Sequence, residues 1–161
     1  AMPDRPSGPA GYRPAFILAG GLAASVSAPF WGRMADWSSR NVMAVAALVS
    51  GVLGVAAVSV ELMLPGLAAQ LWFYPLVFFV LMVAHSGVRL GRKTYVVDLA
   101  DGNRRTDYVA VSNSVIGVLL LMVGSVGALA PLIGNAGVIA LLALMGLAGA
   151  ALGTSLPEVG D

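Results

Sequence analysis

The side chains able to do chemistry in this chain are few, and three stand together. They are Gly32, Asp36 and Arg40, spaced Gly-x3-Asp-x3-Arg in the stretch Trp-Gly-Arg-Met-Ala-Asp-Trp-Ser-Ser-Arg from Trp31 to Arg40. No ionisable residue occurs from Pro14 to Gly32 or from Asn41 to Val60. A carboxylate flanked by two guanidinium groups can accept hydrogen bonds from helix amides and exchange ion-pair partners. A second group is His85 with Arg89 four residues on, placed on one face if the segment is helical. A histidine within an apolar segment is a candidate for proton coupling, weighed against a hydrogen-bonded packing role. Asn113, between Ser112 and Ser114, is suited to bonding between helices or to lining a pathway, and Gln70 with Tyr74 to an outer vestibule. With one His, no Cys and no carboxylate cluster, no metal site is expected. No cofactor or nucleic-acid partner is called for. The apolar segments hold no nucleophile–base or carboxylate pair, so an enzyme is not expected.

The elements that position these residues follow from composition. The chain is 58% hydrophobic and 11% charged, with a mean hydropathy of +0.88. Soluble domains carry about 25% charged residues. So few charges cannot cover a soluble globule of 161 residues, and an integral membrane protein is expected. The opening Ala-Met-Pro-Asp-Arg-Pro-Ser-Gly-Pro lacks the basic region and cleavage site of a signal peptide, and reads as a loop within a longer chain.

A crossing helix needs about 20 mostly apolar residues. That rule divides the chain into residues 1–14, an extracytoplasmic tail; 15–157, a transmembrane helical domain; and 158–161, a cytoplasmic tail. Five spans are expected, at about 15–31, 42–60, 68–88, 108–129 and 136–154. Pro29 should kink the first span or mark its end. Pro65-Gly66 marks a turn, and Trp72, Phe73 and Tyr74 form an interfacial aromatic group. The apolar run from Tyr108 to Pro157 is too long for one crossing, and Ala130-Pro131 and Gly134-Asn135 offer the turn within it. The fold class is therefore all-α, with helices because lipid cannot satisfy free backbone amides.

The connecting segments 32–41 and 89–107 hold Arg33, Arg40, Arg89, Arg92, Lys93, Arg104 and Arg105, seven basic residues on one side. The positive-inside rule makes that side cytoplasmic, with the N-terminus outside and the C-terminus inside. Residues 92–100 mix charge with apolar side chains and suit a short interfacial helix or an ordered basic loop, with anionic lipid headgroups as partners in the first case. Small residues four apart suit close helix packing: Gly20 with Ala24, Gly21 with Ser25, Ala47 with Gly51, Ser50 with Gly54, and Gly149 with Gly153. The fourth span, with Gly117, Gly124, Gly127 and Pro131, suits a helix that bends or moves.

The stretch from Gly32 to Asn41 resembles the loop signature of the major facilitator superfamily of secondary transporters, approximately Gly-x-Leu-x-Asp-Arg-x-Gly-Arg-Arg/Lys. Gly32 stands at the first Gly, Met34 at the apolar position, Asp36 at the Asp and Arg40 at the first basic residue. Trp37, Ser39 and Asn41 depart from the pattern, as is typical of the family's second copy, between helices eight and nine. The resemblance implies helices eight to twelve of a twelve-helix transporter, nearest to the bacterial permeases, with an N-terminal half and helix seven not present here. It also implies alternating-access transport of a small solute across the cytoplasmic membrane, through a site between the two halves.

In that setting Gly32 would allow close helix approach at the membrane face. Asp36 would accept hydrogen bonds from the amides that begin the fourth span. Arg40 would pair with Asp98 or Asp101, with Arg104 and Arg105 nearby. These contacts would hold one state of the cycle closed. The plainer reading is a basic loop that only sets topology. The alternative function is a small multi-span membrane scaffold or assembly subunit with no transport of its own. The upstream reading frame separates the two, since a transporter requires about seven further spans with another such loop.

Overall fold

In a computed structural model, residues 13–100 and 104–159 are described, and every regular element among them is helical. The elements are α1 (Arg13–Ala35), α2 (Ser39–Met63), the single turn α3 (Pro65–Ala68), α4 (Phe73–Leu99), α5 (Arg105–Val126), a 3-10 turn (Gly127–Leu129) and α6 (Ala130–Ser155). Four stretches are long and apolar enough to cross a membrane: Pro14–Ala35, Ser39–Met63, Phe73–Leu99 and Arg105–Thr154. The last has 50 residues. As one straight helix it would be about 75 Å long, against a hydrocarbon core of about 30 Å. It is interrupted by the 3-10 turn and again at Gly134, whose φ of 74° leaves the helical region. Glycine is the residue that adopts this conformation without a Cβ clash.

Several boundaries differ from those the sequence predicts, each for a local reason. Helix α1 runs through Pro29 to Ala35. Its last turns are held from outside by the Trp31 indole, so the missing proline N–H does not end it. The connection expected over 32–41 shrinks to Asp36, Trp37 and Ser38. Ser38 caps α2, with extended φ/ψ of −165° and 108° and its side chain accepting the Asn41 N–H at 3.1 Å. The third span does not stop at Val88. Helix α4 continues to Leu99, so Arg89, Arg92, Lys93 and Asp98 are helical residues and the 92–100 segment is no separate interfacial helix. Long basic side chains tolerate this, because the stems lie along apolar surface while the heads reach water.

The helices pack in the order α1, α4, α2, α6, with α5 touching α4 near their shared connection. Contact residues give the directions. Trp31 meets Gly87 and Gly20 meets Phe78, so α1 and α4 are parallel. Gly87 meets Ala46 and Gly91 meets Met43, so α2 runs against α4. Gly51 meets Gly146 and Ala44 meets Gly153, so α6 runs against α2.

Apolar area has little driving force between helices in lipid, and close van der Waals contact takes its place. Backbones approach where side chains are absent. A Cβ on Gly51 would lie 2.7 Å from Leu147 Cγ and 2.9 Å from the Leu147 backbone nitrogen, and one on Gly54 would lie 2.7 Å from Ala143 Cβ. Thus the Ala47/Gly51, Ser50/Gly54 and Gly149/Gly153 pairs lie on the α2–α6 contact through Gly51, Gly54 and Gly153, whereas Gly149 faces open space. Gly21, Gly117, Gly124 and Gly127 also face open space, and α5 has no buried residue.

The buried cluster is Trp31, Val42 and Ala46, with Val83, Val88 and Leu90 packed against it. Trp31 is 3% exposed, and its Nε1–H donates to the Val83 carbonyl at 2.8 Å. A Cβ on Gly87 would fall 2.6 Å from the indole Cε2 and 2.9 Å from Ala46 Cβ. Gly87→Val should therefore lower stability by about 1–3 kcal/mol through overpacking. Gly117→Ala, in open space within a helix, should instead be neutral or raise it by up to about 1 kcal/mol. Unfolding of the two variants in detergent measures the contrast, and equal effects would contradict the packing described.

Candidate functional site

The polar connection is a short turn between two helix ends. Gly32 lies in the last turn of α1, and a Cβ there would meet nothing within 4 Å. The close approach expected at Gly32 is found instead at Gly87 and Gly91 of α4, facing Trp31, Ala46 and Met43. Chain reversal is secured by backbone bonds, with Asp36 N–H donating to Gly32 O at 3.1 Å and Ser38 N–H to Met34 O at 3.1 Å. The Asp36 side chain is exposed, and among the described residues its carboxylate accepts no hydrogen bond. It does not meet the N-terminus of α5. That helix carries its own acid, Asp107, in its first turn, where a negative charge suits the positive end of the dipole. Trp37 is 91% exposed beside Asp36, an amphipathic ring suited to a membrane interface.

Arg40 is the engaged member. Its Nη2 lies 2.7 Å from Glu158 Oε2, and its Nη1 donates to the Leu156 carbonyl at 3.0 Å. The Tyr95 hydroxyl donates to the Pro157 carbonyl at 3.1 Å. The segment after α6 is thus clasped from two sides, by the first turn of α2 and the end of α4. The sequence predicts Asp98 or Asp101 opposite Arg40. Glu158 is there instead, because α6 packs along α2 and delivers its C-terminal end beside Arg40. Asp98 is exposed on α4, and Asp101 lies outside the described residues. Arg104 begins the approach to α5 and Arg105 opens that helix, both exposed. Nothing in the sequence marked Glu158 as a partner, since the bond spans more than a hundred residues. Two buried polar atoms beside this clasp, Ser39 Oγ and Arg40 Nε, have no hydrogen-bond partner among the described residues.

Two grooves flank the basic stretch of α4. One, of about 370 Å³, runs between α1 and α4 and is lined by Ser27, Trp31, Gly32, Ser86, Arg89 and Lys93. The other, of about 310 Å³, lies between α4 and α5 and includes Arg92, Lys93, Ser112 and Asn113. Asn113 is thus brought to the basic stretch, consistent in place with a polar contact between helices. His85 is exposed on α4 and is not among the side chains lining either groove. Gln70 lies in the turn before α4 and donates from Nε2 to the Gly66 carbonyl at 3.4 Å, a local bond. Among the described residues no group of three or more His, Cys, Asp or Glu is placed to hold a metal ion.

No known protein family, curated protein or solved structure matches this chain.

The clasp has measurable energetics. The Arg40 and Glu158 side chains are 27% and 40% exposed, so their pairing should contribute at most about 1 kcal/mol. Arg40→Gln also removes the bond to the Leu156 carbonyl, worth about 1 kcal/mol more. Arg40→Gln should therefore destabilise more than Glu158→Gln. A double-mutant cycle in detergent should return a small coupling that shrinks with salt. Zero coupling at low salt would mean that the two charges do not pair in solution.

Proposed function

We propose that this chain is part of a secondary active transporter that moves a small solute across the cytoplasmic membrane by alternating access. In this reading the end bearing Asp36, Arg40 and the α4–α5 connection is cytoplasmic, and the chain crosses the membrane five times. The observation that carries the proposal is the Gly32-x3-Asp36-x3-Arg40 connection between two adjacent membrane-length helices, with its resemblance to the major facilitator loop. Support comes from the placement of Arg40, which ties the start of α2 to the segment after α6 at the polar end of the bundle. The contacts of Arg40 with Leu156 and Glu158 join elements of the same packed row and brace the connection from within, so a latch that opens would fall to its other members. Asp36 is exposed and unengaged among the described residues, and in this reading it meets the other half of the transporter when that side closes. The solute site lies between the halves, so this chain supplies one wall of it.

The test uses the full reading frame, expressed in its host after deletion of the gene and compared across a panel of small solutes for uptake and growth. Deletion should give a solute-specific defect that the intact protein restores. Asp36→Asn should restore it several-fold less well at equal membrane abundance. A scaffold subunit would give no solute-specific defect, and full restoration by Asp36→Asn would reduce the connection to a topology signal.

A further inference from the structure

The groove between α1 and α4 has a feature that neither topology nor a gating loop requires. Two cations, Arg89 and Lys93, stand four residues apart on one face of α4, where like charges repel. Two hydroxyls, Ser27 and Ser86, line the same groove, and among the described residues no acid does. Among the described residues neither cation has an ion-pair partner, the one salt bridge being that of Arg40 with Glu158. Ser27 is nearly fully buried, and its hydroxyl is only weakly engaged, at 3.4 Å from the Ala24 carbonyl. The Trp31 N–H is already taken by the Val83 carbonyl, so its ring offers the groove an apolar wall. Ala24, Ala28 and Leu90 add further apolar wall. Toward the N-terminal end of α1 the same face continues from Ala28 and Ala24 through Gly21 to Ile17, three and four residues apart, and is apolar and exposed.

We infer that this groove binds the headgroup of an anionic phospholipid. The lipid's phosphate lies between Arg89 and Lys93, within reach of the hydroxyl side, and its acyl chain follows the apolar face of α1. The layout favours a lipid over a soluble anion. The cations stand at the polar edge of a surface that is apolar for several further turns, and an amphiphile matches both parts. Arginine supplies planar donors to phosphate oxygens, and lysine a second charge on a flexible stem.

The test uses the intact chain in phosphatidylcholine bilayers. Trp37→Phe and Trp72→Phe, both at exposed positions, leave Trp31 as the sole indole reporter. Phosphatidylglycerol brominated near the headgroup end of its chains should quench Trp31 at a bilayer fraction roughly thirtyfold lower than brominated phosphatidylcholine, as expected for two cations near such a headgroup. Arg89→Gln with Lys93→Gln should abolish that preference. Arg104→Gln with Arg105→Gln removes equal charge outside the groove and should leave it intact. Equal quenching by the two lipids overturns the inference without any groove variant. Loss of the preference in the Arg104/Arg105 variant also overturns it, as diffuse surface charge. Relief of quenching by soluble glycerol phosphate at a concentration no higher than that of the brominated phosphatidylglycerol assigns the groove to a soluble anion and overturns the lipid assignment.

Discussion

The structure depends on one buried contact among three helices. The Trp31 indole from α1 lies against Gly87 of α4, next to Ala46 of α2, and its N–H is satisfied by the Val83 carbonyl. A large aromatic ring can enter that space only because residue 87 has no side chain. Its single polar group finds an acceptor in the adjacent helix, so burial leaves no unpaired donor. This contact sets the spacing of α1, α4 and α2 at their polar end. It also holds the last turns of α1, so that Pro29 is carried within a continuous helix.

A second set of contacts continues the row to α6. Gly51 and Gly54 of α2 receive Leu147, Ala143 and Gly146, and Gly153 of α6 receives Ala44. The functional consequence lies at the end of the row. Because α6 follows α2 so closely, Leu156 and Glu158 arrive beside Arg40, and the polar connection and the C-terminal segment become one assembly. Helix α5 is the exception. It is apolar, has no buried residue, and touches the row mainly near the end of α4. A helix of that composition is stable in lipid without such contacts, because its backbone is satisfied internally.

Charge is distributed by the same geometry. Helix α4 extends its basic residues well past the apolar stretch, so Arg89, Arg92 and Lys93 form a ridge between two grooves. A loop would have let these charges disperse, whereas a helix fixes Arg89 and Lys93 one turn apart on the same face.

Much of this was legible in the residues alone. Hydropathy, charge spacing and turn residues indicated that the chain is helical and membrane-compatible, that the last apolar stretch breaks at Ala130-Pro131 or Gly134-Asn135, and that Gly32, Asp36 and Arg40 belong to a polar connection between two apolar helices. Those are local properties, set by side-chain polarity and backbone freedom within a few residues. Tertiary structure alone decided that Gly87 is the glycine facing Trp31, that α4 continues to Leu99, and that Arg40 meets Glu158 rather than Asp98. The physical reason is that lipid-facing and helix-facing positions are both apolar. Composition around a membrane helix therefore carries little record of which face is packed. Partners distant in sequence are chosen by the shapes of small residues, which become specific only when two helices are brought together.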